Sequence, residues 1–369
     1  MKLIVSNCGT SVFTNNTSQE VCKILNKYTN YSYDNIPQND REVIDNHINN
    51  RAQTVEQIDD LEQISRMSAE LNGIIRIYNN QLPNPQNKNN QDFHFLVHSD
   101  TYLGRKAAEI VGNWLSKRFT NVQLYPITNL RTDNIENFRA AVTELVKFCY
   151  ETIKGYKERR YYVIFNLTGG FKSVQGIMQT LGMFYADECV YIFETGNELL
   201  RIPKLPIKLE VEDTIRNNLT QFRKLSLGQT LNRQECINIP ETFLFFVDNK
   251  VTLNEWGELA WREVKDEIYS EKLLDSPSER IKYSEQFVRY VNNLPANRKK
   301  EINERIDQLY QYIVSNGMQN PDSLSFQQLQ GNHGIITHEF YAWSNGSADR
   351  IYCHYEDNVI VIDRLGEHL

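Results

Sequence analysis

Tyr161-Tyr-Val-Ile-Phe-Asn166-Leu-Thr168-Gly169-Gly170-Phe-Lys172-Ser173 is an apolar run that ends in paired glycines and leads into a helix-like stretch. It reads as a strand, a tight turn and a helix. Paired glycines let the backbone come close to an anion, and a helix start adds unpaired N–H groups and a favourable dipole. Lys172 and Ser173 contribute a charge and a hydroxyl. The spacing is not that of a Walker loop, which has four residues between its glycines and the lysine directly after the second. Nor is it the G-x-G-x-x-G of dinucleotide-binding folds. A Gly-Gly turn can also serve chain geometry alone; the lysine favours the phosphate reading.

Two more segments repeat the pattern. Residues 2–7 form an apolar strand followed by Cys8-Gly9-Thr10-Ser11 and a helical stretch near 17–28. Phe93-His-Phe-Leu-Val-His-Ser99-Asp100 is a second strand, followed by a helix over Leu103–Phe119. Val122–Pro126, the helix Ile135–Ile153, the helix 173–186 and the strand 189–193 continue the alternation. Helical periodicity also runs through 55–80, and the Asn-rich, Pro-broken stretch 79–91 reads as a solvated surface loop. Strands alternating with long helices predict an α/β fold, a doubly wound, Rossmann-like parallel sheet covered on both faces. Ligands of such sheets bind beyond the carboxyl ends of the strands. Three loops meet that rule: Gly9–Ser11, Ser99–Thr101 and Thr168–Ser173.

The chain has 369 residues, enough for two or three cores, with 40% hydrophobic and 11% aromatic residues. No run approaches the ~18 apolar residues of a membrane helix, so a non-secreted, cytoplasmic protein without membrane contact is expected. Six cysteines without C-x-x-C spacing predict reduced, buried thiols and no metal site. A net charge of −7 excludes a nonspecific polyphosphate-binding surface and leaves only local basic clefts.

After Pro203 and Pro206 the pattern becomes charged and helix-like through residue 278. This predicts a small helical or winged-helix connector over 206–278, with a capping box from Thr252 to Glu255. Residues 279–369 predict an α+β unit. It has a strand at Ile281–Tyr283, helices over Ser284–Asn293 and Ala296–Ser315, then Leu329-Gln-Gly331. Strands follow at Gly334–Trp343, Arg350–His354 and Val359–Ile362, with turns at 344–347 and 356–358.

The stretch Asn166-x-Thr168-Gly169-Gly170-x-Lys172 after a strand, with a polar loop after the first strand, resembles CARF domains, the sensor modules of CRISPR effectors that bind cyclic oligoadenylate. The resemblance covers about residues 1–205. It implies a homodimer with one pocket across its two-fold axis and cyclic tetra-adenylate as activating ligand, with no other cofactor. Carried onto this chain, Asn7, Gly9, Thr10, Ser11, Ser99, Thr101, Thr168, Gly169, Gly170, Lys172 and Ser173 cradle the ring. Some members also cut the ring. The resemblance then makes Ser11 and Lys172 the pair that positions a ribose 2′-hydroxyl and steadies the phosphate charge.

Beyond residue 330 polar side chains gather on the expected sheet: His338, Glu339, Tyr341, Arg350, His354, Arg364 and His368. Each alone is an ordinary structural or surface group. Together they hold what ribonucleolytic transesterification requires, a base, a cation and an acid. Leu329-Gln-Gly331, Asp349-Arg350-Ile-Tyr and the terminal Gly366-Glu-His368 resemble, in order, the motifs of RelE-type mRNA interferases. The resemblance spans about 90 residues. It implies an endoribonuclease acting on mRNA at the ribosome, with Arg350 stabilising the phosphate, His368 as acid and Glu339 as base. Tyr341 and Arg364 complete the candidate site. Two features depart from that family: from Arg280 onward nine basic residues oppose eleven acidic ones, a balance of −2, and no flanking lysines match. Local patches such as Arg298-Lys299-Lys300 would then carry RNA docking, and Tyr341 and Trp343 could stack on a base or pack in the core.

The sequence therefore predicts a CRISPR-associated sensor coupled to a ribonuclease through the connector. Other readings remain: a ligand-controlled transcription regulator, a stand-alone ring nuclease, or a HEPN nuclease using Arg41 and His47. The acidic charge and the lack of a basic recognition helix weigh against the regulator.

Overall fold

The computed structural model describes all residues except 84–90, 132, 194, 195, 197, 207–209, 345–347 and 369. The chain divides into two compact units, Met1–Lys208 and Leu209–Leu369. Among the described residues no helix is long and apolar enough to cross a membrane.

The first unit begins with β1 (Lys2–Asn7), the single turn α1 (Ser11–Thr14) and the helices α2 (Gln19–Lys27), α3 (Gln38–Gln57), α4 (Leu61–Met67) and α5 (Ala69–Ile77). Then come β2 (Phe93–Ser99), α6 (Tyr102–Ser116), β3 (Asn121–Ile127), α7 (Ile135–Phe148), α8 (Lys154–Glu158), β4 (Tyr162–Asn166), α9 (Lys172–Tyr185), β5 (Glu188–Ile192) and β6 (Leu199–Pro203). The sheet order is β3-β2-β1-β4-β5-β6. β1 pairs in parallel with both β2 and β4, so the order reverses between β1 and β4. Buried alternate residues of the strands, such as Ile4, Leu96 and Ile164, face a core shared with α3, α5 and α6. On the other face Phe95 packs edge-on against Phe148 of α7, ring centroids 5.2 Å apart.

Several expectations are corrected here. The sheet is not wholly parallel: β6 closes the edge antiparallel to β5. The helix expected over 55–80 is the end of α3 followed by α4 and α5. Ser68 breaks it, with extended backbone and a side chain that accepts from the Leu71 N–H. The helix over 135–153 widens into a π-helical segment at Cys149–Ile153 before α8. Asn79 and Asn80 end α5 in the left-handed region, which asparagine tolerates, and residues 84–90 of the expected surface loop lie outside the described residues.

The second unit starts with α10 (Glu212–Asn217), α11 (Leu219–Ser226), β7 (Leu231–Asn232), β8 (Leu244–Val247), β9 (Lys250–Leu253) and α12 (Glu255–Glu271). The small sheet runs β7-β9-β8, all antiparallel. The β8–β9 hairpin turns at Asp248 and Asn249, Asp248 being left-handed, and resembles a wing. Between β7 and β8, where a winged helix would carry a recognition helix, stand two single 3-10 turns, Arg233–Cys236 and Glu241–Phe243. The expected Thr252 capping box is absent. Thr252 lies inside β9, and Asn254 caps α12 by accepting from the Trp256 and Gly257 N–H groups at 3.0 and 2.9 Å.

The remainder is β10 (Ile281–Tyr283), α13 (Glu285–Asn292), α14 (Ala296–Val314), β11 (Gln327–His333), β12 (Ile336–Tyr341), β13 (Arg350–Glu356) and β14 (Val359–Gly366). The sheet order is β10-β14-β13-β12-β11, antiparallel except for β10 beside β14. Leu329-Gln-Gly331, expected ahead of the sheet, lies within β11; of the turn expected at 344–347, residues 345–347 lie outside the described residues. This part has its own core around Phe287, Ile306, Phe340, Ile351 and Ile362, separate from the core of Phe222, Trp261 and Tyr269. A buried ion pair joins them. Arg223 on α11 donates to Asp307 Oδ1 on α14 at 3.0 and 2.6 Å, and the Tyr269 hydroxyl donates to Oδ2. Burial works against the Arg223 charge, but Asp307 overrides it and holds the guanidinium above the ordinary arginine value.

Candidate functional site

The first candidate site is a cleft of about 750 Å³ beyond the carboxyl ends of β1 and β4, where the sheet order reverses. Its walls are the loops 9–11 and 168–172, the α4–α5 corner and the end of β5. The two loops touch backbone to backbone: a Cβ on Gly9 would stand 2.8 Å from the Gly170 Cα. Gly170 has φ +89°, and a Cβ there would stand 2.1 Å from Asn7 Nδ2. Only glycine fits both demands. Asn7 is buried and its amide donates to the Gly169 carbonyl at 3.4 Å, which ties the ends of β1 and β4 together. Lys172 is exposed at the first position of α9, and among the described residues no side chain caps that helix, whose N-cap residue is Phe171, so its first N–H groups are left to the cleft.

Thr10, Ser11, Thr168, Gly169, Gly170 and Lys172 line the cleft with Gly9. Of the other expected residues, Asn7, Ser99, Thr101 and Ser173 do not. Thr101 caps α6 by accepting from the Gly104 N–H at 3.2 Å, and its hydroxyl bonds that of Ser99 at 2.8 Å, both buried. Ser173 is exposed on α9 outside the cleft lining.

A residue that motif reading missed organises the whole cradle. Glu70, in the first turn of α5, is fully buried. It accepts from the Gly9 N–H at 2.8 Å, the Ser11 hydroxyl at 2.6 Å and the Ser68 hydroxyl at 2.7 Å. A Cβ on Gly169 would stand 2.2 Å from its Oε1, so that glycine too exists for the carboxylate. Burial pushes the Cys8 thiol up, and the Glu70 charge pushes it the same way. The available signal was a lone acid in an apolar helical run, Met67-Ser-Ala-Glu70-Leu. Asn72 and Gln175 also line the cleft; Gln175 donates to the Leu167 and Gly169 carbonyls at 3.0 and 3.1 Å.

The second candidate site is the face of the β11–β14 sheet opposite α13 and α14. Side chains alternate between faces along a strand. Phe340, Ile351 and Leu365 are buried in the helix-covered core, so their neighbours face away from it. Gln327, Glu339, Tyr352 and Arg364 stand side by side across four strands. Tyr341 and Arg350, themselves a register pair, lie two residues further along the same face. The Arg350 guanidinium stacks 4.0 Å above the Tyr341 ring, and that of Arg364 lies 4.6 Å from the Tyr352 ring. His368 comes back to the same face. Its Nε2 is 3.2 Å from Glu339 Oε1, with the imidazole about half exposed and the carboxylate buried beneath it.

Glu339 Oε1 also accepts from Gln327 Nε2 at 3.0 Å, while the buried Oε2 has no partner among the described residues. Tyr352 donates to the Glu367 carbonyl at 2.6 Å and so holds the segment that carries His368. All five expected residues, Glu339, Tyr341, Arg350, Arg364 and His368, thus share one face. His354 joins them, its Nδ1 2.8 Å from Asp363 Oδ2, and that hydrogen bond raises its pKa. His338 does not: it stacks on Phe326 with ring centroids 5.2 Å apart, and burial lowers its pKa. Trp343 is buried in the core and donates to Asp349 at 2.7 Å.

Arg41 and His47 on α3 serve structure. Arg41 stacks on Tyr33 and donates to the Ile36 carbonyl, and His47 Nε2 lies 2.9 Å from the Phe13 carbonyl.

No curated protein matches the chain. Residues 65–205 match the sequence model of a family described as CRISPR-associated protein (Cas_APE2256). The matched stretch is less than half of the chain; it contains α5 with Glu70, β4 and the Thr168–Lys172 loop, and it stops short of the second unit. Over that stretch the first unit is similar to a CRISPR-associated family.

Proposed function

We propose that this protein is an ancillary effector of type III CRISPR defence. In this reading a homodimer binds cyclic tetra-adenylate through the cleft of the first unit, and binding activates a RelE-like endoribonuclease on the open sheet face of the second. The nuclease cuts mRNA at the ribosome and arrests translation in the cytoplasm. The observation that carries the nuclease reading is the Glu339–His368 pair on the same sheet face as two arginines, the half-exposed imidazole above the buried carboxylate. Similarity to a CRISPR-associated family supports the sensor reading, together with an uncapped helix start, Lys172 and two glycine loops at a sheet switch point.

The chemistry follows from the pair. With Nε2–H directed at Glu339, His368 offers Nδ1 to substrate, taking a proton when neutral and giving one when charged. Glu339 is buried, so it holds the imidazole in place and does not meet RNA directly, the arrangement in which a carboxylate orients a catalytic histidine. Arg350, steadied over Tyr341, is the cation for the phosphorane, and Arg364 is a second. In the first unit the cleft also cuts its own ring slowly, with Ser11 positioning the ribose 2′-hydroxyl and Lys172 steadying the phosphate charge.

The test uses purified protein with cyclic oligoadenylates of several ring sizes and RNA with and without ribosomes. Ring-dependent cleavage is expected, lost by 10²-fold or more in Arg350→Ala and His368→Ala. RNA left intact under every condition, or cut equally by both variants, would remove the nuclease reading.

A further inference from the structure

We infer that His354, oriented by Asp363, is the general acid of the site on the second unit, giving a proton to the departing 5′-oxygen, while His368 takes the proton of the attacking 2′-hydroxyl. This rests on reading that sheet face as a ribonuclease. It moves the acid from His368, where the resemblance puts it, to a residue outside the Leu329–Gly331, Asp349–Tyr352 and Gly366–His368 stretches.

A bulge in β14 builds the His354–Asp363 pair. Ile362 and Leu365 both belong to the helix-covered core, three residues apart, whereas regular alternation returns to one face every second residue. The register slips between Tyr352 and Cys353, so Asp363 and Arg364 both turn to the open face. His354 shares that face, because Ile351 and Cys353 of β13 are in the core. Its Nδ1 is 2.8 Å from Asp363 Oδ2, and its Nε2 is 3.4 Å from Glu356 Oε1. Acceptors at both nitrogens suit the doubly protonated ring, the form an acid needs. Both carboxylates raise the pKa of His354, Asp363 the more. The Glu356 side chain is 68% exposed, so substrate can displace it and take Nε2.

The position suits the chemistry. Tyr352 pairs with Glu339 on one side and Arg364 on the other. His354 is the next residue along that face, roughly 7–8 Å diagonally from Glu339, on which His368 stands with Nε2 3.2 Å from Oε1. A phosphate held by Arg364, whose guanidinium is 4.6 Å from the Tyr352 ring, then has His368 toward β12 and His354 along β13. The other charge facing His354 is Lys282 of β10, across Val361. The 2′-oxygen loses its proton to His368 and bonds to phosphorus, the P–O5′ bond breaks, and the 5′-oxygen takes the His354 proton. A 2′,3′-cyclic phosphate and a 5′-hydroxyl result.

The test is single-turnover cleavage of ribosome-bound mRNA by the ring-activated protein. One substrate is ordinary RNA, and the other carries sulfur in place of the bridging 5′-oxygen at the mapped cleavage position. A thiolate leaves without a proton, because a thiol is far more acidic than an alcohol. His354→Ala is expected to lose about 10²-fold on ordinary RNA and little on the sulfur substrate. His368→Ala, lacking the base, should be slow on both. Asp363→Asn removes the stronger support of the imidazolium, so the fall in rate toward high pH should move to lower pH. That variant decides if circular dichroism shows that His354→Ala does not fold. An unchanged His354→Ala rate on ordinary RNA, equal losses on both substrates, or a high-pH limb that Asp363→Asn leaves in place overturns the inference and keeps the nuclease reading. A wild type that cuts neither substrate overturns that reading, and the inference with it.

Discussion

Gly170 shows how tightly single residues determine the first site. Its φ of +89° and the 2.1 Å approach of Asn7 leave no space for a side chain. Gly176, six residues on in α9, has nothing within 4 Å of its Cβ position. Alanine should therefore act oppositely at the two positions. Gly170→Ala is expected to cost about 1–3 kcal/mol and disturb ligand binding, whereas Gly176→Ala should stabilise by about 0.5–1 kcal/mol through helix propensity. Urea denaturation of both variants checks this. Equal effects would mean that the loop yields easily. The glycines were legible in the sequence because their spacing is the motif; their reason was not, since it lies in Asn7 and Glu70, distant in the chain and brought in by β1 and α5. His354 gives a pH prediction. Asp363 raises its folded-state value, so the stabilisation is complete below the ordinary histidine value of about 6.5 and is lost as pH rises through the raised value. A His354→Gln variant should lack that part of the pH dependence of the urea midpoint; an unchanged profile would show that the pair adds nothing.

At the scale of elements, periodicity located the strands of the first sheet to within a residue or two, because buried parallel strands are continuous apolar runs. The edge strand β6 escaped notice, since Leu199–Pro203 is mostly exposed and lacks such a run. α3 escaped for a related reason. It is 20 residues long yet mostly polar, with Ile44, Ile48 and Val55 its only buried residues. The break at Ser68 mattered most for function. Read as one helix, residues 55–80 place Glu70 at mid-helix and assign it nothing. Split at Ser68, they place it in the first turn of α5, aimed at Gly9 and Ser11. In the second unit the strands were legible, and with them a polar cluster on one sheet; the sharing of one face by Glu339, Tyr341, Arg350 and Arg364, with His338 turned away, comes from the register of β12–β14. The contact of His368 with Glu339 was not, because no periodicity describes a chain segment folding back across a sheet. The missing recognition helix between β7 and β8 takes support from the transcription-regulator reading, since two single 3-10 turns present no helix to a groove.

At the scale of the whole molecule, the account is of two units with separate tasks, one gripping a ring and the other cutting RNA. Net charge of −7 suits such a division better than a nucleic-acid coat, with Arg66 and Lys172 lining the cleft and Arg350 and Arg364 on the sheet face. Coupling requires that the ring bind the active arrangement more tightly than the inactive one. It also requires that defects in the two sites be separable. The most direct measurement is the rate of RNA cleavage as a function of cyclic tetra-adenylate concentration, with ring binding followed in parallel, for wild type, Lys172→Ala and His368→Ala. The account predicts that Lys172→Ala moves the activating concentration upward by about tenfold or more and keeps the maximal rate, while His368→Ala abolishes cleavage and leaves ring binding unchanged. Cleavage that proceeds equally without the ring, or a Lys172→Ala variant that activates at the wild-type concentration, would contradict it.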